Sequence, residues 1–278
     1  MSNEPDSATR GKITANGQSL YYEVHGNGPP LVLVMGIGYD ATLWGLHQIP
    51  AFSAHYRVIA FDNRDAGRSS RAGVAYTVAD MADDIAGLLD ALEIERAHVL
   101  GISMGGMIAQ EFAIRHSGRL DRLVLTGTGA ATARTKFDPI ATWDFVKSHD
   151  DEGMSFAAQQ FVWLFSDSFL RNHEAVDQTL QMLAANEHPL DADAYHRQAN
   201  AYRQHDTLDR LDQIEAPTLV VAGERDRLTP PWICREVAAG IPDARFRLVD
   251  GPGSSHVLPL ERPDDFNALV LSFLGEQR

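Results

Sequence analysis

The chain has 278 residues, of which 44% are hydrophobic and 22% charged, and its formal net charge is −14. That length suits one large domain, or one domain with an inserted subdomain. The negative charge argues against nucleic acid or an anionic membrane surface as partner. A single cysteine, Cys234, excludes an internal disulfide and fits a reducing cytoplasm. The polar, acidic start of the chain shows no signal-peptide pattern, and no apolar run is long enough for a membrane span. The reading is therefore a cytoplasmic protein.

Residues 1–9 read as disordered. Lys12-Ile13-Thr14-Ala15 and Leu20-Tyr21-Tyr22-Glu23-Val24 flank Asn16-Gly17, a hairpin signal. Leu31-Val32-Leu33-Val34-Met35 is a continuous apolar run, as expected of a parallel strand covered on both faces. Gly36-Ile37-Gly38 turns the chain, and a short helix is expected near Trp44 to Ile49. Tyr56 to Phe61 is the next buried strand, and Asp62-Asn63-Arg64-Asp65-Ala66-Gly67-Arg68-Ser69 is a polar turn. Thr77 reads as an N-cap with Asp80 at N3. Met81, Ile85, Leu88, Leu89 and Leu92 then form one helical stripe.

Ala97 to Leu100 is a short strand, followed by Gly101-Ile102-Ser103-Met104-Gly105. This fits the G-x-S-x-G strand–turn–helix in which a strained serine is exposed, and glycines are needed where a Cβ would collide with strand or helix. The helix behind it points its first N–H groups at the turn. An inert serine in an ordinary turn is the alternative. Leu120 to Thr126 is the following strand.

Residues 130–207 show no buried strand and carry Phe137, Trp143, Phe145, Phe156, Phe161, Trp163, Phe165 and Phe169. A structureless loop of that length is improbable, so several helices forming a lid are expected. Strands resume at Pro217 to Gly223 and Phe246 to Val249, with helices from about Pro231 to Ala239 and around Phe266 to Phe273. The alternation predicts an α/β fold whose core, residues 10–129 and 208–278, carries a mainly parallel eight-stranded sheet with helices on both faces. Ligands of such sheets sit beyond the carboxyl ends of the strands.

A serine nucleophile needs a base, and the base needs an orienting carboxylate. Of eleven histidines only His256 follows the last strand on a loop. His98, His116, His188, His196 and His205 read as surface, capping or lid residues. The acid should follow strand 217–222, where Glu224 and Asp226 both stand. Asp226, deeper in the loop, is the choice and Glu224 the fallback. Two backbone donors should stabilise an oxyanion, the N–H of Met104 and the N–H of Ile37. Cys234 reads as helix filler.

These stretches, with Ala222-Gly223-Glu224-Arg225-Asp226 and with His256 followed by Glu261-Arg262-Pro263, resemble the α/β-hydrolase superfamily from about residue 20 to 275. The run Gly101 to Gln110 and the run Arg119 to Leu125 resemble the 3-oxoadipate enol-lactonase-like branch. Many members have His-Gly where this chain has Met35-Gly36; enol-lactonases also lack that histidine. Asp65 stands where the usual R-G-x-G run has a glycine. Haloalkane dehalogenases and epoxide hydrolases place Asp at the elbow, so Ser103 argues against both.

The resemblance implies a serine hydrolase of esters or lactones. A lyase or cyclase, a cofactor-free haloperoxidase or a carbon–carbon bond hydrolase on the same scaffold is the alternative, and a binding protein that keeps the fold is a third reading. The lid aromatics suggest a small substrate with a ring or long apolar part. Trp143, Phe161 and Trp163 are the candidate pocket residues, although lid core is the plainer role for each. No Walker loop, dinucleotide fingerprint or metal-ligand cluster is present, so no cofactor and no metal are expected.

Overall fold

In the computed structural model, residues 9–132, 138–149 and 154–276 are described. Phe137 and residues 1–8 lie outside them. Strand β1 (Thr9–Ala15) already includes Thr9, and it turns through Asn16 (φ 47°) and Gly17 (φ 73°) into β2 (Gln18–His25). Both turn residues have positive φ, the geometry a two-residue hairpin needs. The remaining strands are β3 (Pro30–Val34), β4 (Arg57–Phe61), β5 (Ala97–Ile102), β6 (Leu120–Thr126), β7 (Thr218–Gly223) and β8 (Ala244–Val249). They form one sheet in the order β1-β2-β4-β3-β5-β6-β7-β8, antiparallel at β1/β2 and β2/β4 and parallel elsewhere.

The continuous apolar runs of the central strands follow from burial on both faces. Alternate residues split between two cores. Val32, Val34, Val99 and Leu125 join one, against α2 (Val78–Ala91), α3 (Met104–Arg115) and α9 (Pro231–Gly240). Leu31, Leu33, Leu100 and Val124 join the other, which includes Trp44, Phe52 and Phe266. The helix expected near Trp44 to Ile49 is two pieces, a 3-10 turn at Ala41–Leu46 and α1 at Gln48–Phe52. Asp40 caps the first piece, accepting from the Thr42 N–H. Thr77 and Asp80 form the reciprocal N-cap of α2.

Between β6 and β7 the helices α4 (Pro139–Lys147), α5 (Met154–Leu164), α6 (Asp167–Leu170), α7 (His173–Ala184) and α8 (Ala192–Arg203) form a cap. Helices α10 (Leu258–Glu261) and α11 (Pro263–Leu274) close the chain. Two carboxylates are among the joints that hold the cap on the core. At the first, the Glu261 carboxylate accepts from Ser166 N–H at 2.9 Å, from Ser166 Oγ at 2.5 Å and from Ser255 Oγ at 2.5 Å. At the second, Arg197 of α8 donates to both oxygens of Asp65 at 2.8 and 2.7 Å.

Asp65 is the residue that departs from the R-G-x-G run. It keeps a left-handed backbone, φ 67°, which Asp tolerates better than most residues. Its side chain also accepts from the Ala72 N–H at 2.8 Å. The carboxylate is wholly buried and Arg197 is 18% exposed.

Arg197→Met strands that carboxylate without its cation, and a loss of about 3–5 kcal/mol is expected in urea unfolding. Asp65→Gly removes the charge and relaxes the backbone, so it should cost less than Arg197→Met in the same measurement. At the base of the cap, burial pushes His205 down from 6.5 to about 4, and its Nδ1 is buried without a partner. Below pH 6.5 the unfolded chain takes up a proton at this ring that the folded chain refuses, so stability falls as pH drops and the loss is complete near pH 4. Thermal unfolding between pH 7 and 4 should show this slope, and His205→Asn should flatten it.

Candidate active site

Ser103 lies between β5 and α3 with φ 56° and ψ −124°, a region L side chains seldom occupy. Its neighbours explain how the turn fits. A Cβ on Gly101 would stand 2.2 Å from the Gly105 carbonyl oxygen, and one on Gly105 would stand 2.2 Å from that of Val34. The Ser103 N–H donates to Thr126 O at 3.0 Å, which ties the turn to β6. The Ser103 carbonyl accepts from Gly106 N–H at 2.9 Å and from Met107 N–H at 3.3 Å. The Met104 N–H, first in α3, has no acceptor among the described residues.

His256 sits on the loop after β8 and Asp226 on the loop after β7. His256 Nδ1 and Asp226 Oδ2 are 2.9 Å apart, with side chains 3% and 1% exposed. Asp226 Oδ1 accepts from the N–H groups of Leu228 at 2.9 Å and Thr229 at 2.7 Å. These bonds fix the carboxylate, and its partner at Nδ1 leaves Nε2 as the second ring nitrogen. Gly127, with φ 54°, makes room for the pair: a Cβ there would meet the His256 ring at 3.2 Å. Glu224, the fallback acid, is exposed and accepts from the Gly251 N–H at 3.2 Å.

Ile37 lies on the loop after β3. Asn63 Nδ2 donates to the Met35 carbonyl at 2.9 Å. Gln198 Oε1 of α8 accepts from the Gly38 N–H at 2.9 Å, and Gln198 Nε2 donates to the Arg64 carbonyl at 3.0 Å. The loop is held on both sides, and the Ile37 N–H between them has no acceptor among the described residues. Sequence reasoning did not single out Asn63 or Gln198. Asn63 was visible inside a quoted motif; nothing in the local pattern marked Gln198.

Ser103, His256, Gly36 and Ile37 line one cavity together with Trp143 and Phe161 of the cap. No hydrogen bond joins the Ser103 hydroxyl to the His256 ring here; such contacts tighten when substrate binds. Trp163 does not reach that cavity. It lines a second one that also meets Ser103, beside Met107, Asp138 and Trp232. The histidines set aside by the sequence line neither cavity. His116 pairs with Asp83 and His196 with Asp144. Cys234 is buried, its Sγ 3.4 Å from the Thr128 carbonyl, and burial pushes the thiol up to about 12. That thiol stays protonated and unreactive at neutral pH. Among the described residues no group of three or more His, Cys, Asp or Glu is placed to hold a metal ion, and no helix is long and apolar enough to cross a membrane.

The chain is 32% identical over 262 residues to a protein of Azorhizobium caulinodans named "Putative carbamate hydrolase RutD", covering 92% of this chain and 95% of that one. Among solved structures, the enol-lactonase from Burkholderia xenovorans LB400 superposes with a TM-score of 0.85 at 29% identity, covering 96% of this chain and 100% of that one. A thermophilic esterase from Thermogutta terrifontis gives a TM-score of 0.83 at 29% identity, covering 96% and 98%. The family model for the alpha/beta hydrolase fold matches residues 29–263. With its mainly parallel eight-stranded sheet and its serine turn after β5, the chain belongs to the α/β hydrolase fold family.

Proposed function

We propose that the protein hydrolyses a carboxylic ester or lactone through an acyl-enzyme on Ser103. The observation that carries this reading is the buried Asp226–His256 bond at 2.9 Å, on a ring that shares a cavity with the strained Ser103. His256 Nε2 takes the Ser103 proton as Oγ attacks the carbonyl carbon. The N–H groups of Met104 and Ile37 receive the oxyanion. Collapse expels the alkoxide, which takes the proton back from Nε2. Water, deprotonated by the same nitrogen, then attacks the acyl carbon and releases the acid. With a lactone the leaving hydroxyl stays tethered to the acyl chain. Asp226 holds the tautomer and stabilises the imidazolium.

The wall of the cavity narrows the substrate. Its described lining residues include no Asp, Glu, Lys or Arg. A free carboxylate or ammonium there would be buried without a counter-charge. The portion of substrate it takes is therefore neutral and largely apolar. Trp143 and Phe161 are among its aromatic contacts, with Tyr39, Trp44 and Phe165, and Trp163 contributes on the side of the second cavity.

Intact-mass analysis after exposure to a fluorophosphonate tests the mechanism. One adduct is expected on the native chain and none on Ser103→Ala. Ser103→Ala should fold normally and lose at least about 10⁴-fold in kcat for any good ester. Asp226→Asn should lose about 10³–10⁴-fold, while Glu224→Gln stays near the native rate. The reverse order would make Glu224 the acid.

A further inference from the structure

One carboxylate oxygen ties the loop of His256 to the cap. Glu261 Oε1 accepts from the Ser255 hydroxyl at 2.5 Å and from the Ser166 N–H at 2.9 Å. Its second oxygen, Oε2, accepts from the Ser166 hydroxyl at 2.5 Å. Ser255 directly precedes His256 in the chain, and Ser166 lies between α5 and α6 of the cap. Ser166, Ser255 and His256 are all buried.

A tight turn puts Glu261 there. Helix α10 begins just after Val257, with Pro259 in its first turn. The Val257 carbonyl accepts from the N–H groups of Leu260 at 2.8 Å and Glu261 at 3.1 Å. One helical turn therefore carries Glu261 back to Ser255. An ionised carboxylate only accepts, so each of its bonds has a fixed direction. The one hydrogen of Ser166 Oγ goes to Glu261, and that oxygen accepts from Ser168 Oγ at 2.7 Å and from the Phe169 N–H at 3.3 Å. Hydrogen bonds to a carboxylate are roughly twice as strong as neutral ones. The backbone adds a parallel tie to the cap, from the Val257 N–H to the Leu164 carbonyl at 3.3 Å. On the core side, the Arg225 N–H donates to the Ser254 carbonyl at 2.8 Å. His256 thus sits between one grip from the core and one from the cap.

We infer that Glu261 is a positioning residue for the base. Through Ser255 it sets where the His256 ring stands relative to Ser103, and through Ser166 it makes that placement depend on the seated cap. The inference rests on the ester or lactone reading of Ser103 and His256. Asp226 holds the ring at Nδ1, but the reach of Nε2 towards Ser103 is set by the loop that carries the ring. A misplacement of about 1 Å in reacting groups costs about 10²-fold in rate. Glu261 lines neither cavity, so it does not meet substrate itself. Its loss should therefore appear in kcat and leave KM nearly unchanged.

Steady-state kinetics on 4-nitrophenyl butyrate, with active sites counted by the mass of the fluorophosphonate adduct at completion, tests this. Ser255→Ala removes one hydroxyl and leaves both Ser166 bonds in place. It should lower kcat per active site by about tenfold or more, with KM within about twofold. The rate of phosphonylation should fall in step, because both reactions begin with proton removal from Ser103. Glu261→Ala should lose about 10²-fold, and Glu261→Gln, which keeps an acceptor for the Ser255 hydroxyl, should stay within about fivefold of the native rate. A purely structural role would lower the melting temperature and the fraction of active sites while kcat per site held. That result overturns the proposal, as does a native rate in Ser255→Ala or a change confined to KM. Where Glu261→Ala does not fold, Ser255→Ala decides. Ser103→Ala run in parallel separates the two readings. Ser103-dependent hydrolysis indifferent to Ser255 removes this inference alone, and hydrolysis that ignores Ser103 removes the mechanism beneath it.

Discussion

Everything in this molecule is arranged around one unfavourable piece of backbone. Ser103 holds φ 56°, and a non-glycine residue in such a conformation costs of order 1–3 kcal/mol. The fold supplies that from its surroundings. The Ser103 N–H is tied to β6, its carbonyl caps α3, and glycine on either side lets the Val34 carbonyl and the α3 backbone approach to distances no Cβ would allow. Once the turn is held, the Ser103 hydroxyl faces the cavity beyond the strand ends. The other loops then have a fixed point to meet. Gly36, Gly127 and Gly223 repeat the device on a smaller scale, since a Cβ at each would meet Ser103, the His256 ring or the Ser254 carbonyl.

The second constraint is the seat of the cap. Consecutive residues of α8 do two jobs: Arg197 pairs with Asp65, and Gln198 bonds the Gly38 N–H and the Arg64 carbonyl. Tyr195, one turn earlier and wholly buried, lies against Gly38, where an added Cβ would be 3.2 Å from its ring. The cap helix therefore grips the very loop that carries the Ile37 N–H. Asp65, which looks like an unexplained departure when the motif is read alone, is the core's half of that grip. Its carboxylate replaces the freedom of a glycine with an anchor, and Asp accepts the left-handed backbone that the turn still demands.

The sheet and the serine turn were legible in the sequence because both are local. A run such as Leu31 to Met35 declares its burial by composition, and G-x-S-x-G declares a close approach by spacing. Asp226 and His256 were legible through order along the chain, each just after a strand. The cap aromatics were legible only as a class. Trp143 and Phe161 line the cavity and Trp163 lines its neighbour, and helical spacing cannot separate these because which wall they face is set by how the cap docks. Gln198, Gln160 and Gln48 carried no local signal. Each is an ordinary residue in an ordinary helix or turn, and its role exists only where segments more than 100 residues apart meet.

That last point joins the cap to chemistry. Trp44 and Gln48 of the core line the cavity together with Trp143, Gln160 and Phe161 of the cap. The same cap fixes the loop of Ile37 through Gln198. In the reading proposed here, the groups that recognise the substrate and a donor that stabilises the oxyanion thus depend on one docking interaction. A shift of α8 away from Asp65 would disturb both together. It would unclamp Gly38 and it would separate Gln160 from Tyr39. Selectivity and rate are therefore expected to respond jointly to the seat of the cap, and the His256 loop is held by it too, since the Val257 N–H donates to the Leu164 carbonyl of α5 at 3.3 Å.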